Sequence, residues 1–247
     1  MVSYFCMQTS LDQERIVALG AEEKCVGVVG NVKFDMSSEE KSVSREALGF
    51  DKTHEILIAG STHPGEEEIV LDMYQTLRAE FPALRIIMSP RHIERTAEVV
   101  ALIKGKGLNP CKFSELKTKG ITSQDVIVVD TIGHLKSLYS LAKIVFVGKS
   151  LIGGGGQNII EPAFFAKPIV VGPNMDNFKD IMDLFLAEKA IIQVQNSAEL
   201  LLEIRRLLKN PESLKTIGLA AQKVLEKHQG ASEKTMRLIS RLIPNIS

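Results

Sequence analysis

The residues best suited to chemistry lie in one run, Gly148-Lys149-Ser150-Leu151-Ile152-Gly153-Gly154-Gly155-Gly156-Gln157-Asn158-Ile159-Ile160-Glu161-Pro162. It follows an apolar stretch that reads as a strand ending at Val147, and it leads into a predicted helix. Consecutive glycines let the backbone approach a ligand closely, because no Cβ intervenes. A helix N-terminus offers unpaired N–H groups and partial positive charge, which suit a phosphate. Asn158 falls near the first turn, and Glu161 comes three residues later. A carboxylate there repels phosphate but accepts hydrogen bonds from ribose hydroxyls, as acids do in other nucleotide sites. The spacing therefore suits a nucleotide with its phosphate at the glycines and its sugar at Glu161. It also suits a glycine turn before a helix with a capping acid. The run is not a Walker loop, since no Lys-Ser or Lys-Thr follows the last glycine. Nor is it a dinucleotide fingerprint, since the next strand, Pro168 to Gly172, ends without an acid.

Three further strand ends carry polar groups. Gly60-Ser61-Thr62-His63 opens a helix and is a potential anion site. Ser89-Pro90-Arg91-His92 brings Arg91, able to pair with a phosphate or carboxylate. Asp130-Thr131-Ile132-Gly133-His134 is the third. Open α/β sheets bind ligands beyond the carboxyl ends of their strands, so four such loops say more than any one. Taken singly, His63 reads as an N-cap, Arg91 as a surface residue and Asp130 as a turn or cap residue. There is no DxD, HExxH or GxSxG, and the histidines at 54, 63, 92, 134 and 228 lack ligand spacing. No metal and no cofactor is expected.

The elements that must position these residues follow from the apolar pattern. Runs at 25–29, 56–59, 84–88, 126–129, 144–147 and 168–171 are nearly continuous and rich in Val and Ile, as in strands covered on both faces of a parallel sheet. Helical patterns fill most of the gaps. His63-Pro64-Gly65-Glu66-Glu67-Glu68 puts Pro near a helix start and three acids in the first turn, and that helix should run to about Glu80. Ser37 with Glu40 resembles a capping box. Further helices are predicted over 176–189, 198–208, 211–228 and 231–242. The reading is an α/β fold with a doubly wound parallel sheet. Residues 1–50 form a separate piece, with strands near 4–8 and 26–29 around a helix at 10–19, too short for a core of its own.

Composition excludes several classes. Thirty basic and thirty acidic residues give zero net charge, without the basic excess of a nucleic-acid binder. Three scattered cysteines, Cys6, Cys25 and Cys111, suggest neither a disulfide framework nor a zinc site, and fit a reducing compartment. No apolar run is long enough for a transmembrane helix, and the N-terminus has no signal-peptide pattern.

The run Gly-Gly-Gln-Asn-x-x-Glu-Pro-Ala from Gly155 to Ala163 resembles the signature of bacterial 3-deoxy-D-manno-octulosonic acid (Kdo) transferases. The resemblance covers nearly the whole chain. Gln8-Thr9 with Asp12 and Arg15, Leu19-Gly20-Ala21, Gly30 to Asp35, Gly60 to Glu67, Pro90-Arg91-His92, Asp130 to Gly133, and Gly172-Pro173 through Asn177-Phe178 match in order and approximate spacing. It implies a Rossmann-like domain, the C-terminal half of a GT-B glycosyltransferase, with residues 51–247 as the donor domain. Residues 1–50 would be the remnant of an N-terminal acceptor domain plus the linker. It also implies CMP-Kdo as donor, with Gly155, Gly156 and Asn158 on the phosphate and Glu161 on the ribose. Arg91, His63 and Gly133 would complete the pocket. Transfer would be metal-independent, to a lipid A precursor in lipopolysaccharide synthesis, with the chain cytoplasmic or peripheral to the cytoplasmic face of the inner membrane. The catalytic carboxylate belongs to the family's N-terminal domain, so this chain is expected to lack the base and to be inactive alone. The sequence departs from the family pattern at His134, where an acid is common, and at Gln157, where some members have His. A non-catalytic nucleotide-binding module and the donor half of a GT-B enzyme using a UDP-sugar are the alternatives.

Overall fold

The computed structural model describes residues 2–36, 43–116 and 124–243. The chain divides into two compact units, one of Glu39–Gln222 and one combining Met1–Ser38 with Lys223–Ser247. The smaller unit opens with β1 (Phe5–Met7), α1 (Ser10–Ala18) and β2 (Val26–Val28), the strands pairing in parallel with Phe5 opposite Val26. Thr9 starts α1 because its hydroxyl accepts the N–H of Asp12.

The larger unit holds a seven-stranded, wholly parallel sheet. Its strands are β3 (Glu55–Thr62), β4 (Leu84–Pro90), β5 (Pro110–Lys112), β6 (Val126–Val128), β7 (Ile144–Val147), β8 (Ile169–Val171) and β9 (Ile192–Gln193). Their order is β5-β6-β4-β3-β7-β8-β9. The helices of this unit are α2 (Glu66–Leu77), α3 (Thr96–Gly105), α4 (Leu135–Tyr139), α5 (Ile160–Phe164), α6 (Lys179–Ala187) and α7 (Ser197–Lys209). The apolar runs become strands because their residues are buried on both faces: Ile56, Leu57, Ile58 and Ala59, and all of Ile144–Val147, are at most 1% exposed. From β3 the chain passes to β4 and then to the edge strand β5, returns to β6 between them, and crosses to β7, β8 and β9 on the other side. The winding therefore reverses between β3 and β7, and the loops leaving their carboxyl ends flank the crevice that open sheets use for ligands.

Helix α8 (Pro211–His228) begins in the larger unit, and its last residues, with α9 (Ala231–Leu242), belong to the smaller. There the Asp35 carboxylate caps α9, accepting the N–H groups of Gly230 at 2.6 Å and Ser232 at 2.5 Å.

Several elements differ from expectation. β3 runs on to Thr62, and its register against β4 shifts between Gly60 and Thr62. Pro64 stands outside α2, whose N-cap is Gly65 in the left-handed region, and the helix ends at Leu77. The edge strands β5 and β9, three and two residues long, are too short for their periodicity to register. The capping box expected at Ser37 and Glu40 lies outside the described residues. Among the described residues no helix is long and apolar enough to cross a membrane.

Candidate functional site

The two loops at the winding reversal are joined by Glu66, the first residue of α2. Its side chain is fully buried, and its carboxylate is filled by backbone N–H groups. One oxygen accepts from His63 at 3.0 Å and Lys149 at 2.7 Å. The other accepts from Ser150 at 3.0 Å, Leu151 at 2.9 Å and Ile152 at 3.4 Å. A row of N–H groups after a strand is a nest for an anion; here the chain supplies that anion itself. The clamp draws the backbones so close that a Cβ on Gly148 would lie 2.6 Å from both Ser61 O and Thr62 Cα. On either side of it Ser61 (φ 54°) and Lys149 (φ 55°) hold left-handed conformations that cost a non-glycine residue about 1 kcal/mol or more. Ser150 extends the brace, its hydroxyl donating to Val147 O and accepting from Gly172 N. Next to Glu66, buried Glu67 accepts from Thr62 Oγ1 at 3.0 Å and from the Arg95 guanidinium at 2.8 Å.

A cleft of about 450 Å³ opens beside this brace, lined by Ser61, Arg91, Gly133, Leu135, Lys136, Tyr139, Gln157, Asn158 and Glu161. The volume lies within the roughly 300–1,000 Å³ of small-molecule sites. Arg91 is exposed at the end of β4, its N–H bonded to Thr62 O. Gly133, with φ 89°, turns the chain between β6 and α4. Asn158 shapes the entry to α5: its Oδ1 accepts the N–H of Ile160 at 3.0 Å, and its Nδ2 donates to Glu161 Oε1 at 3.1 Å. One side chain thus takes the N–H of the first helical residue and orients the half-buried carboxylate three residues on.

Arg91, Gly133, Asn158 and Glu161 are therefore brought together in one cleft. His63, Gly155 and Gly156 do not line it. The imidazole of His63 meets Ser61 O through Nδ1 at 3.2 Å and packs edge-on to His92. Gly155 (φ 103°) and Gly156 (φ 68°) are buried, and a Cβ on either would come within 2.3 Å of Asn177 Nδ2 or Met175 Sδ. Glycine at these two positions is required by packing against the segment after β8. α5 is only five residues long, so its dipole is weaker than the sequence suggested.

Sequence reasoning named Ser61 only as part of a strand-end loop, missed Lys136 and Tyr139 as cleft residues, and read Glu66 as a helix-dipole acid. Lys136 and Tyr139 sit on α4, two and five residues beyond His134, the end of the loop that drew attention, on a helix too short to announce itself. Tyr139 is 2% exposed. Burial pushes its phenol well above the usual range, and the charge of Glu161 pushes it the same way, so the hydroxyl is a neutral donor. The cleft thus combines two cations, Arg91 and Lys136, with a carboxylate, two amides and a phenol. The cations suit an anionic group, and the others suit hydroxyls. Among the described residues no group of three or more His, Cys, Asp or Glu is placed to hold a metal ion.

Comparison with known proteins places this geometry. A bifunctional glycosyltransferase/methyltransferase of Fusobacterium nucleatum is 38% identical over 204 residues, 80% of this chain and 31% of that protein. A 3-deoxy-D-manno-octulosonic acid transferase of Haemophilus influenzae is 30% identical over 242 residues, 96% of this chain and 56% of that protein. The chain thus spans between about a third and just over half of the length of these relatives. Among solved structures, it is similar to the C-terminal CMP-Kdo binding domain of WaaA from Acinetobacter baumannii. The TM-score is 0.66 and the identity 32%, over 70% of this chain and 90% of that one. No protein-family model matches the chain. The parallel sheet, the cleft at its winding reversal and an identity that extends over nearly all of a solved domain lead to one assignment: this chain belongs to the 3-deoxy-D-manno-octulosonic acid transferase family of glycosyltransferases.

Proposed function

We propose that the chain binds CMP-Kdo in the cleft between the loops after β3, β4, β6 and β7, as the donor half of a Kdo transferase. The observation that carries this reading is the meeting of Arg91 and Glu161 in one cleft, in a chain 32% identical to a CMP-Kdo binding domain. Arg91 holds the phosphate by charge-assisted hydrogen bonds. Glu161, set by Asn158, accepts from the ribose. Gly133 lets the backbone pass close to the ligand. Gly155 and Gly156 act by shaping the loop that carries Asn158, and His63 by supporting the strand end at Ser61. Residues 1–50 correspond to the end of the relatives' acceptor domain and the linker, and residues 51–247 to the donor domain.

The reaction is transfer of Kdo from CMP to a hydroxyl of a lipid A precursor, in lipopolysaccharide synthesis at the cytoplasmic face of the inner membrane. In this chain the cleft binds and orients the donor, and Arg91 and Lys136 stabilise the charge that gathers on the departing CMP phosphate. The acceptor hydroxyl must lose its proton to a base within hydrogen-bond reach. We assign no such residue here; the base comes from the part of the relatives that this chain does not span.

Calorimetric titration with CMP and UMP tests the reading. Preferential CMP binding that weakens at least about tenfold in Glu161→Ala, the loss of one charge-assisted contact, is expected. Equal binding of CMP and UMP would redirect the assignment to another donor, and CMP binding unaffected by Glu161→Ala would remove the carboxylate from the site.

A further inference from the structure

Tyr139 is the most deeply buried side chain of the cleft, at 2% exposed. It lies against Gly60 at the carboxyl end of β3, where a Cβ would come within 2.2 Å of the oxygen. A larger residue at position 60 would displace the phenol. A phenol that lines a cleft can donate its hydroxyl to what enters. α4, which carries Tyr139, packs against α5, which carries Glu161, and both residues line the same cleft. A carboxylate only accepts hydrogen bonds, whereas a sugar diol offers both donors and acceptors. Glu161 satisfies the donors of a diol and leaves its oxygens unmatched. A phenol beside it supplies the missing donor.

We infer that Tyr139 and Glu161 form a paired reader for a vicinal diol, Glu161 accepting from a ribose hydroxyl and Tyr139 donating to an oxygen of the same diol. The cleft thereby selects ribonucleotides over deoxyribonucleotides. The inference rests on the nucleotide reading above, and adds to it a residue and a selectivity. A site built to bond a hydroxyl rejects the analogue that lacks it, because its polar groups are then left unpaired.

The test is calorimetric titration of the full chain and of Tyr139→Phe with CMP, 2′-deoxy-CMP and 3′-deoxy-CMP, alongside thermal unfolding without nucleotide. The native chain should bind CMP about tenfold or more tighter than at least one deoxy analogue. The phenylalanine variant should lose about tenfold in CMP affinity and most of that preference, while melting at the same or a higher temperature. That combination separates a ligand-directed hydroxyl from a structural one, whose removal would lower the melting temperature. A variant that retains both affinity and preference, or loses affinity for all three nucleotides equally, overturns the inference. So does a native chain that binds CMP without regard to its hydroxyls, an outcome that leaves the nucleotide reading standing. A native chain that binds no CMP overturns both.

Discussion

Glu66 and Glu161 occupy the same kind of place. Each lies in the first turn of a helix leaving the carboxyl edge of the sheet, one after β3 and the other after β7. Glu66 is fully buried and takes five backbone N–H groups from its own chain. Glu161 is half-buried, is steered by the amide of Asn158, and lines a cleft. One acid plays the part of a bound anion and fixes the crevice; the other faces whatever enters it. A carboxylate at a helix start is thus not a site by virtue of its position. What distinguishes the two is that Glu66 is sealed from solvent among backbone N–H groups, whereas Glu161 lines a cleft.

The sharpest way to break this contrast is to mutate both. Glu66→Gln keeps the shape but turns an N–H donor toward the N–H groups of His63 and Lys149. It should destabilise the fold by roughly 3–5 kcal/mol in urea unfolding, as breaking a buried charged network does. Glu161→Ala should instead cost CMP affinity about tenfold or more while changing stability by less than about 1 kcal/mol. If the two variants behaved alike in unfolding, the contrast would be wrong.

The sequence distinguishes the two acids only partly, and the reason is local. Glu161 was legible because it stands three residues after Asn158, and that spacing survives as a direct hydrogen bond. Glu66 was misread because four of its five partners lie more than eighty residues away, and nothing in His63 to Glu68 announces them. The long strands were legible through apolar runs that a doubly covered sheet demands. β5 and β9 were not, since their pairing comes from neighbouring strands rather than from their own pattern. Tyr139 was missed because a tyrosine among apolar residues reads as core, which it is, apart from the hydroxyl.

Tyr139 gives a pH-dependent test. Its phenol is held above the usual range by burial first and by Glu161 second, so the folded state keeps a proton that the unfolded state loses near pH 10. Its contribution is intact below that pH. Above it, stability should fall by about 1.4 kcal/mol per pH unit for each such group. Buried Tyr74, whose phenol is also raised by burial, shares the same limb. Tyr139→Phe should therefore flatten the alkaline loss of stability without removing it. Glu161→Gln should leave most of it, since burial is the larger cause. Alkaline denaturation profiles of the two variants settle the order.

The smallest effect is expected at a third acid, in the smaller unit. Burial alone would raise the carboxyl of Asp35, but hydrogen bonds from Ser232, Gly230 and Ala231 outweigh it and hold the group below the usual range. Its contribution is present above the ordinary carboxyl range and fades as pH falls through the lowered value. Asp35→Ala should cost about 1 kcal/mol at neutral pH, the worth of a helix cap, and less in acid. Hydrogen exchange in α9 would register the loss. An unchanged exchange rate would mean that the cap contributes nothing.

A crystal structure of the chain with CMP tests the central claim most directly. The phosphate is expected within hydrogen-bond distance of the Arg91 guanidinium and the ribose on the Glu161 carboxylate, with Glu66 still holding the N–H groups of residues 149–152. A nucleotide bound outside the cleft, or one whose phosphate displaced Glu66 from those N–H groups, would contradict it.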